Sequence, residues 1–221
     1  MTGFQWDWGY VWTVIPHLLE GLKITVAATV LGSVFAFLLG LIWTALRLAN
    51  IPIISPLTNL WVSFIRGTPF LVQLYFVFYV FPNYGLTLSA MMSGVVGLAL
   101  FYSAPVSEVY RAGIEGVAPG QWEASLTLGL PIRRVWFRIV LPQAFRVVTP
   151  MLGNTTISMF KETALLSTIT IAELMAQAMD IAMAQYRFIE PLTMVGVLYF
   201  CVSYISAKGV RGLEKWSAAR G

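Results

Sequence analysis

The chain alternates between long apolar runs and short polar passages, and the apolar runs have the length that a membrane requires. Crossing a hydrocarbon core of about 30 Å takes roughly 20 predominantly apolar residues in one helix. Intervals without Asp, Glu, Lys or Arg extend between Lys23 and Arg47, between Arg47 and Arg66, between Arg66 and Glu108, and between Glu190 and Lys208. The third has double length and is interrupted by a turn-like Pro82-Asn-Tyr-Gly85. We therefore predict an all-α integral membrane protein with five transmembrane helices.

These spans are predicted to form a single transmembrane domain over residues 1–221. Composition agrees, because 58% hydrophobic and 11% charged residues are too apolar for an ordinary water-exposed surface. A sixth span would need a hydrophobic helix before Pro16, which Asp7 and the shortness of that segment do not support. The predicted spans cover about 22–46, 57–81, 88–110, 147–170 and 191–208, with a polar loop over about 113–142.

Basic residues predict the orientation of the spans. The net charge of +4 does not indicate a nucleic-acid surface here, because the basic residues lie at the ends of apolar runs. One side of the membrane would hold Arg47, the arginines of the 113–142 loop and the basic tail, and the other side only Arg187. The positive-inside rule then places the N-terminus outside and the C-terminus in the cytoplasm.

The longest charge-bearing passage between the spans runs from Glu123 to Pro142 and indicates a cytoplasmic protein partner. Small residues at Ala124, Ser125 and Gly129 would let another protein approach the backbone closely. The arginines of this passage are expected to keep it out of lipid; they are Arg133, Arg134 and Arg138.

Polar residues within the second span are unusual for a membrane. Arg66, Pro69 and Gln73 are spaced i, i+3, i+7, which predicts one polar helix face directed into the bundle. Alternatively, Arg66 only reaches the headgroups and Gln73 only caps a neighbouring carbonyl. At the end of the third span, Glu108 and Arg111 are predicted to form a salt bridge, with a gate as the alternative.

The fourth span carries a second polar face. Asn154, Ser158 and Lys161 are spaced i, i+4, i+7, and Glu162 lies at the margin. Lys161 is predicted to lie roughly 20 Å deep, where charges normally face a bundle interior or a wet cavity. The alternative is a buried ion pair without a ligand.

The passage around Glu123 resembles the cytoplasmic EAA loop of ABC importer membrane subunits. Glu123-Ala124-Ser125, Gly129 and Ile139-Val-Leu-Pro142 have that family's spacing, with Ser125 in place of the usual alanine. Three further matches resemble the polar amino-acid permease branch: Arg66-Gly-Thr-Pro69 with Gln73, Tyr110-Arg-Ala-Gly113, and Lys161-Glu-Thr163 with Ala-Leu165.

The resemblance implies a permease subunit in a bacterial inner membrane, with the fold of a type I ABC importer transmembrane domain. Its implied partners are a second permease subunit, cytoplasmic ATP-binding subunits and an external solute-binding protein. Glu123 to Gly129 would form a coupling helix, begun by Glu123 and ended by Gly129. The residues implied in docking the ATPase are Glu123, Ala124, Ser125, Leu128, Gly129 and Arg133. No G-x-x-x-x-G-K-[ST] loop occurs in the sequence, so the chain is expected to bind no cofactor and to leave ATP to its partners.

The expected cargo is a polar amino acid or a related small zwitterion such as ectoine. Residues expected along its path are Gln73, Asn154, Ser158, Lys161 and Glu162, whose mixed polarity suits both carboxylate and ammonium groups. Residues expected to support the path or its gating are Arg66, Pro69, Glu108 and Arg111. The main alternative is a self-contained channel or ion-coupled carrier that uses Lys161, Glu162 and Glu108 directly. An intramembrane enzyme is disfavoured, because no nucleophile and base pair is evident.

Overall fold

A computed structural model describes residues 5–218, and every regular element within that range is helical. The α-helices are α1 Trp8–Leu48, α2 Ile54–Gly67, α3 Phe70–Tyr75, α4 Ala90–Glu115, α5 Pro119–Thr127, α6 Ile132–Val135, α7 Leu141–Glu162, α8 Leu174–Gln185 and α9 Ile189–Ala218. Turns of π-helix at Phe76–Val80 and Trp136–Val140, and of 3-10 helix at Phe81–Tyr84 and Thr163–Ile169, continue or join them.

Three of these helices, α1, α4 and α9, are long and apolar enough to cross a membrane, and two bent pairs raise the number to as many as five. One pair is Ile54–Gly67 with Phe70–Tyr84, and the other is Ile132–Ile169 with Leu174–Gln185. The upper number equals the predicted five spans.

The start of α1 corrects the predicted bound of 22–46. The helix already begins at Trp8, because the Asp7 carboxylate accepts a hydrogen bond from the Tyr10 amide at 3.1 Å. An acidic side chain in this position satisfies one of the free amides of the first turn, so Asp7 starts a helix. No sixth span results, because Trp8–Leu48 is one continuous helix.

The second span is not the single helix predicted over 57–81. Helix α2 ends at Gly67, Thr68 and Pro69 have extended backbone, and α3 begins at Phe70. Proline has no amide hydrogen and disfavours helical geometry in the residue before it, which explains the break. Arg66, Pro69 and Gln73 therefore do not share one helix face, and that prediction is wrong.

The remaining bounds differ mainly at the ends. Helix α4 runs to Glu115 and α9 runs from Ile189 to Ala218, so both exceed the predicted 88–110 and 191–208. The predicted loop over 113–142 is largely helical, since it holds α5, α6 and the π turn. In place of a helix that begins near Val147, the fourth span has a helical run that starts at Ile132.

The chain divides into two compact units, which we describe separately. The first comprises the chain up to Ser33, Pro69–Leu98 and Ile157–Ile205. Its core joins α1, α8 and α9 through Leu18, Leu174, Ala178 and Val195. Burial of these side chains fixes α8 against the two long helices.

The second unit comprises Val34–Thr68, Ala99–Thr156 and the chain from Ser206 onwards. One core cluster joins Val62 and Ile65 of α2 to Ala104 of α4. Helices α4 and α7 meet at Gly113, where an added Cβ would collide with Val148. This close approach requires glycine, and it gives the Tyr110-Arg-Ala-Gly113 motif a packing role.

Candidate functional site

The predicted coupling helix is part of a segment from Pro119 to Gly129, called the coupling segment below, that consists of α5 and its closing turn. A small apolar core supports this segment. Val117, Val135, Val140 and Ala144 are buried together, and Ile114, Trp122, Leu130 and Trp136 pack against them. The rings of Trp122 and Trp136 meet edge to face, with centroids 5.4 Å apart. Within the second unit, one face of α5 thus packs against the ends of α4, α6 and α7 while the other faces outwards.

Gly129 ends this segment, as predicted. Its φ of +65° lies in the left-handed region, which glycine adopts without steric cost. The Leu130 amide donates to the Ser125 carbonyl at 3.1 Å and the Gly129 amide to the Leu126 carbonyl at 2.9 Å. This pair of bonds is the Schellman motif, and it turns the chain sharply towards Pro131 and α6.

The start of the segment differs from the prediction. Helix α5 begins at Pro119, so Glu123 lies in its middle and no acidic residue occupies the first turn. An attraction between Glu123 and the helix dipole, which acts only near the terminus, is therefore not what begins the helix. Proline at the first helical position is well suited to begin it.

The outward face of the segment is apolar at its centre. Leu126 is 67% exposed and Leu128 is 75% exposed, and Glu123, Ala124 and Gly129 are exposed around them. Ser125 is buried and its hydroxyl donates to the Gln121 carbonyl at 2.6 Å, so its side chain cannot present itself to a partner. Leu126 was missed in the sequence, because an isolated leucine in a helix gives no signal of exposure.

Glu108 forms ion pairs with three arginines in the second unit. Arg47 and Arg66 each approach one carboxylate oxygen at 3.1 Å, and Arg111 approaches the other at 2.6 Å. The predicted salt bridge between Glu108 and Arg111 is confirmed, and Arg111 also binds Glu115 at 2.8 Å. One carboxylate therefore ties α1, α2 and α4 together, which the sequence could not indicate because Arg47 and Glu108 are far apart in the chain.

The residues expected along a path lie partly on an exposed face of α7. In the first unit, Ser158 and Lys161 are exposed, while Glu162 and Gln73 are half-buried. In the second unit, Asn154 is exposed. Helix α7 is uninterrupted from Leu141 to Glu162, so the predicted spacing holds. The side chain of Lys161 is exposed in the single chain, and the alternative of a buried ion pair without a ligand stays a prediction.

A buried carboxylate that sequence reasoning missed lies at the start of α8 in the first unit. The side chain of Glu173 is fully buried and accepts from the amides of Met175 and Ala176 at 2.9 and 2.8 Å. It also accepts from the Tyr199 hydroxyl at 3.1 Å and the Thr25 hydroxyl at 3.4 Å. Glu173 thus caps α8 and connects it to α1 and α9.

A second charged cluster of the first unit surrounds Arg187. Its guanidinium pairs with Glu190 and with Asp7 at 3.4 Å, and lies 4.3 Å from the centre of the Tyr10 ring. The hydrogen bond from the Tyr10 amide lowers the pKa of the Asp7 carboxyl, and Arg187 acts in the same direction. Because that pKa is lowered, the cap on α1 is complete at neutral pH and is lost as the pH falls through the lowered value.

Comparison with known proteins agrees with the arrangement of these elements. The family model described as "Binding-protein-dependent transport system inner membrane component" matches residues 36–215. The probable amino-acid ABC transporter permease protein y4tG of Sinorhizobium fredii (strain NBRC 101917 / NGR234) is 37% identical over 214 residues, which are 95% of this chain and 93% of that protein. The L-cystine transport system permease protein TcyB of Bacillus subtilis (strain 168) is 37% identical over 208 residues, which are 92% and 89% of the two chains.

A solved structure has the same fold. The crystal structure of an amino acid ABC transporter with histidines superposes with a TM-score of 0.91 at 33% identity, over 96% of this chain and 99% of that chain. The predicted all-α fold of an ABC importer transmembrane domain is thereby confirmed. The chain belongs to the family of inner membrane components of binding-protein-dependent transport systems.

Proposed function

We propose that the chain is a permease subunit that moves a polar amino acid or a related small zwitterion into a bacterial cell, driven by separate ATP-binding subunits. The observation that carries this proposal is the coupling segment, Pro119 to Gly129, which is packed on one face and exposes Leu126 and Leu128 at the centre of the other. Exposed leucines rimmed by polar residues mark an interaction site, and the cost of placing the flanking arginines in lipid favours a protein partner over the membrane interior.

The proposed orientation places this segment in the cytoplasm, with the N-terminus outside and the C-terminus inside. The distribution of basic residues supports it, since Arg133, Arg134 and Arg138 flank the segment and Lys208, Arg211 and Lys215 follow in α9. A push on α5 would then be transmitted to α4 and α7, against which its support is packed.

A second permease subunit is proposed to complete the path. Charged and polar side chains within a span cannot face lipid without a large cost, yet Ser158 and Lys161 are exposed on a single chain. Contact with another polar surface or with water removes that cost. We therefore place this face of α7, including Asn154, along the path, with Gln73 and Glu162 as further candidates.

The amino-acid class of the cargo is supported by the names of the relatives, which are amino-acid and L-cystine permease proteins. A zwitterion carries both a carboxylate and an ammonium group. Lys161 can pair with the first and Glu162 with the second, which is a physical reason for both charges at this depth. Selection among amino acids is assigned largely to the external solute-binding protein.

Reconstitution into liposomes distinguishes this function from a self-contained channel or carrier. We expect uptake of labelled amino acid only when the permease, its ATP-binding subunits, the solute-binding protein and ATP are all present. The control vesicles contain the permease chain alone at the same density. Equal uptake by those control vesicles would contradict the proposal and favour the channel or carrier, in which Lys161, Glu162 and Glu108 handle ions directly.

A further inference from the structure

A lateral groove in the second unit has the chemistry of an acyl-chain site. It has a volume of about 580 Å³ and lies among α1, α4 and α7. Its lining carries no formal charge, and Leu41, Leu48, Leu141, Phe145 and Val148 form much of it. The hydroxyl of Thr44, which also lines the groove, already donates to the Gly40 carbonyl at 2.8 Å. A ligand in the groove would therefore make mostly apolar contacts and few hydrogen bonds.

A basic cleft lies next to the groove along the same helical run. About 400 Å³ in volume, it is lined by Pro131, Arg133, Arg134, Phe137 and Arg138. Within residues 5–218, no acidic side chain forms an ion pair with any of its three arginines. These guanidinium groups are exposed and available to an external anion.

An exposed apolar stripe connects the cleft to the groove. Phe137 lines the cleft, Leu141 lines the groove four residues further along the chain, and Phe145 follows one helical turn later. Phe137 is 65% exposed and Phe145 is 64% exposed. This surface is therefore charged at one end and apolar along the rest, which complements the charged headgroup and the acyl chain of a membrane lipid.

We propose that this surface binds one anionic phospholipid from the leaflet on the side of the α5 segment. The phosphate lies between Arg134 and Arg138, and one acyl chain follows Leu141 and Phe145 into the groove. Charge complementarity selects the lipid class, because arginines near a membrane surface attract anionic headgroups. A zwitterionic lipid makes the same apolar contacts, but the arginines attract its headgroup less strongly.

Native mass spectrometry of the purified full-length chain tests the site. It measures the preference for phosphatidylglycerol over phosphatidylcholine when the two lipids have identical acyl chains. Each arginine contributes about fivefold to anionic binding, so Arg134→Gln with Arg138→Gln should reduce the preference for phosphatidylglycerol roughly 25-fold. The matched control is Arg211→Gln with Lys215→Gln, which removes the same charge from exposed positions of α9. It should leave the preference unchanged.

A second variant tests the groove. Ala45 is exposed and lines it, so Ala45→Phe fills the space without disturbing the core. We expect it to reduce retention of both lipids and to abolish quenching of Trp136 by brominated acyl chains, measured against Trp136→Phe.

Three results would overturn the proposal. The first is an unchanged lipid preference in the double arginine variant, and the second is an equal loss in its control. The third is that the double variant weakens binding of the ATP-binding subunits while lipid retention stays the same, which would assign the arginines to that protein interface. None of these measurements requires transport, so they can fail independently of the proposed function.

Discussion

Replacing Gly129 with aspartate is expected to leave the chain inserted in the membrane while reducing ATP-driven uptake at least about 100-fold, because a charge buried unpaired at a protein interface costs about 3 kcal/mol or more. The side chain itself has room, since an added Cβ at Gly129 meets no atom within 4 Å in the isolated chain. Its φ of +65° adds only about 1 kcal/mol of backbone strain. Uptake into proteoliposomes and the amount of inserted protein are measured together.

Gly85 offers a matched control for this substitution. It has a φ of +82°, an added Cβ there meets no atom within 4 Å, and it belongs to the connection before α4 rather than to the coupling segment. Gly85→Asp carries the same strain and the same charge, so it should retain most of the uptake. Equal uptake by the two variants would show that Gly129 has no special relation to a partner.

Replacing Glu173 with alanine is expected to cause the largest loss of stability, about 3 kcal/mol. The change removes the α8 cap, which alone is worth about 1 kcal/mol, and leaves the Tyr199 hydroxyl and two amides without their acceptor. Thermal unfolding of the purified protein in detergent measures the effect as a lower midpoint temperature.

Asp180→Ala is the control for Glu173→Ala. It removes the same charge from the same helix, but Asp180 is exposed and its loss should change stability by less than about 0.5 kcal/mol. Similar midpoints for the two variants would contradict the assignment of Glu173 as the residue that connects α8 to α1 and α9.

Features that depend on neighbouring residues in the chain were predictable from the sequence. Runs of apolar residues predicted the spans, and the family resemblance carried by Glu123, Gly129 and Pro142 implied a short helix that ends at Gly129. Both signals are local, because helix length and a left-handed cap depend on consecutive residues. The i, i+3 pair of Glu108 and Arg111 was predictable for the same reason.

Features that depend on tertiary contacts were missed or misread. Asp7 looked like an obstacle to a membrane helix and instead caps one, since a single charge at a helix end can be satisfied by backbone amides. Glu173 was missed because its partners Thr25 and Tyr199 come from helices that are distant in the sequence. The pairing of Glu108 with Arg47 and Arg66 was missed as well, because these residues are far apart in the sequence.

In the proposed transporter, ATP-binding subunits contact the chain at α5 and its turn. A photo-crosslinking amino acid at Leu128, 75% exposed, tests this contact in membranes that contain the complete transporter. The matched control carries the same group at Tyr84, which is 79% exposed and lies outside the segment. We expect a crosslinked product with the ATP-binding subunit from position 128 and none from position 84. A product from position 84 alone, or equal products from both, would contradict it.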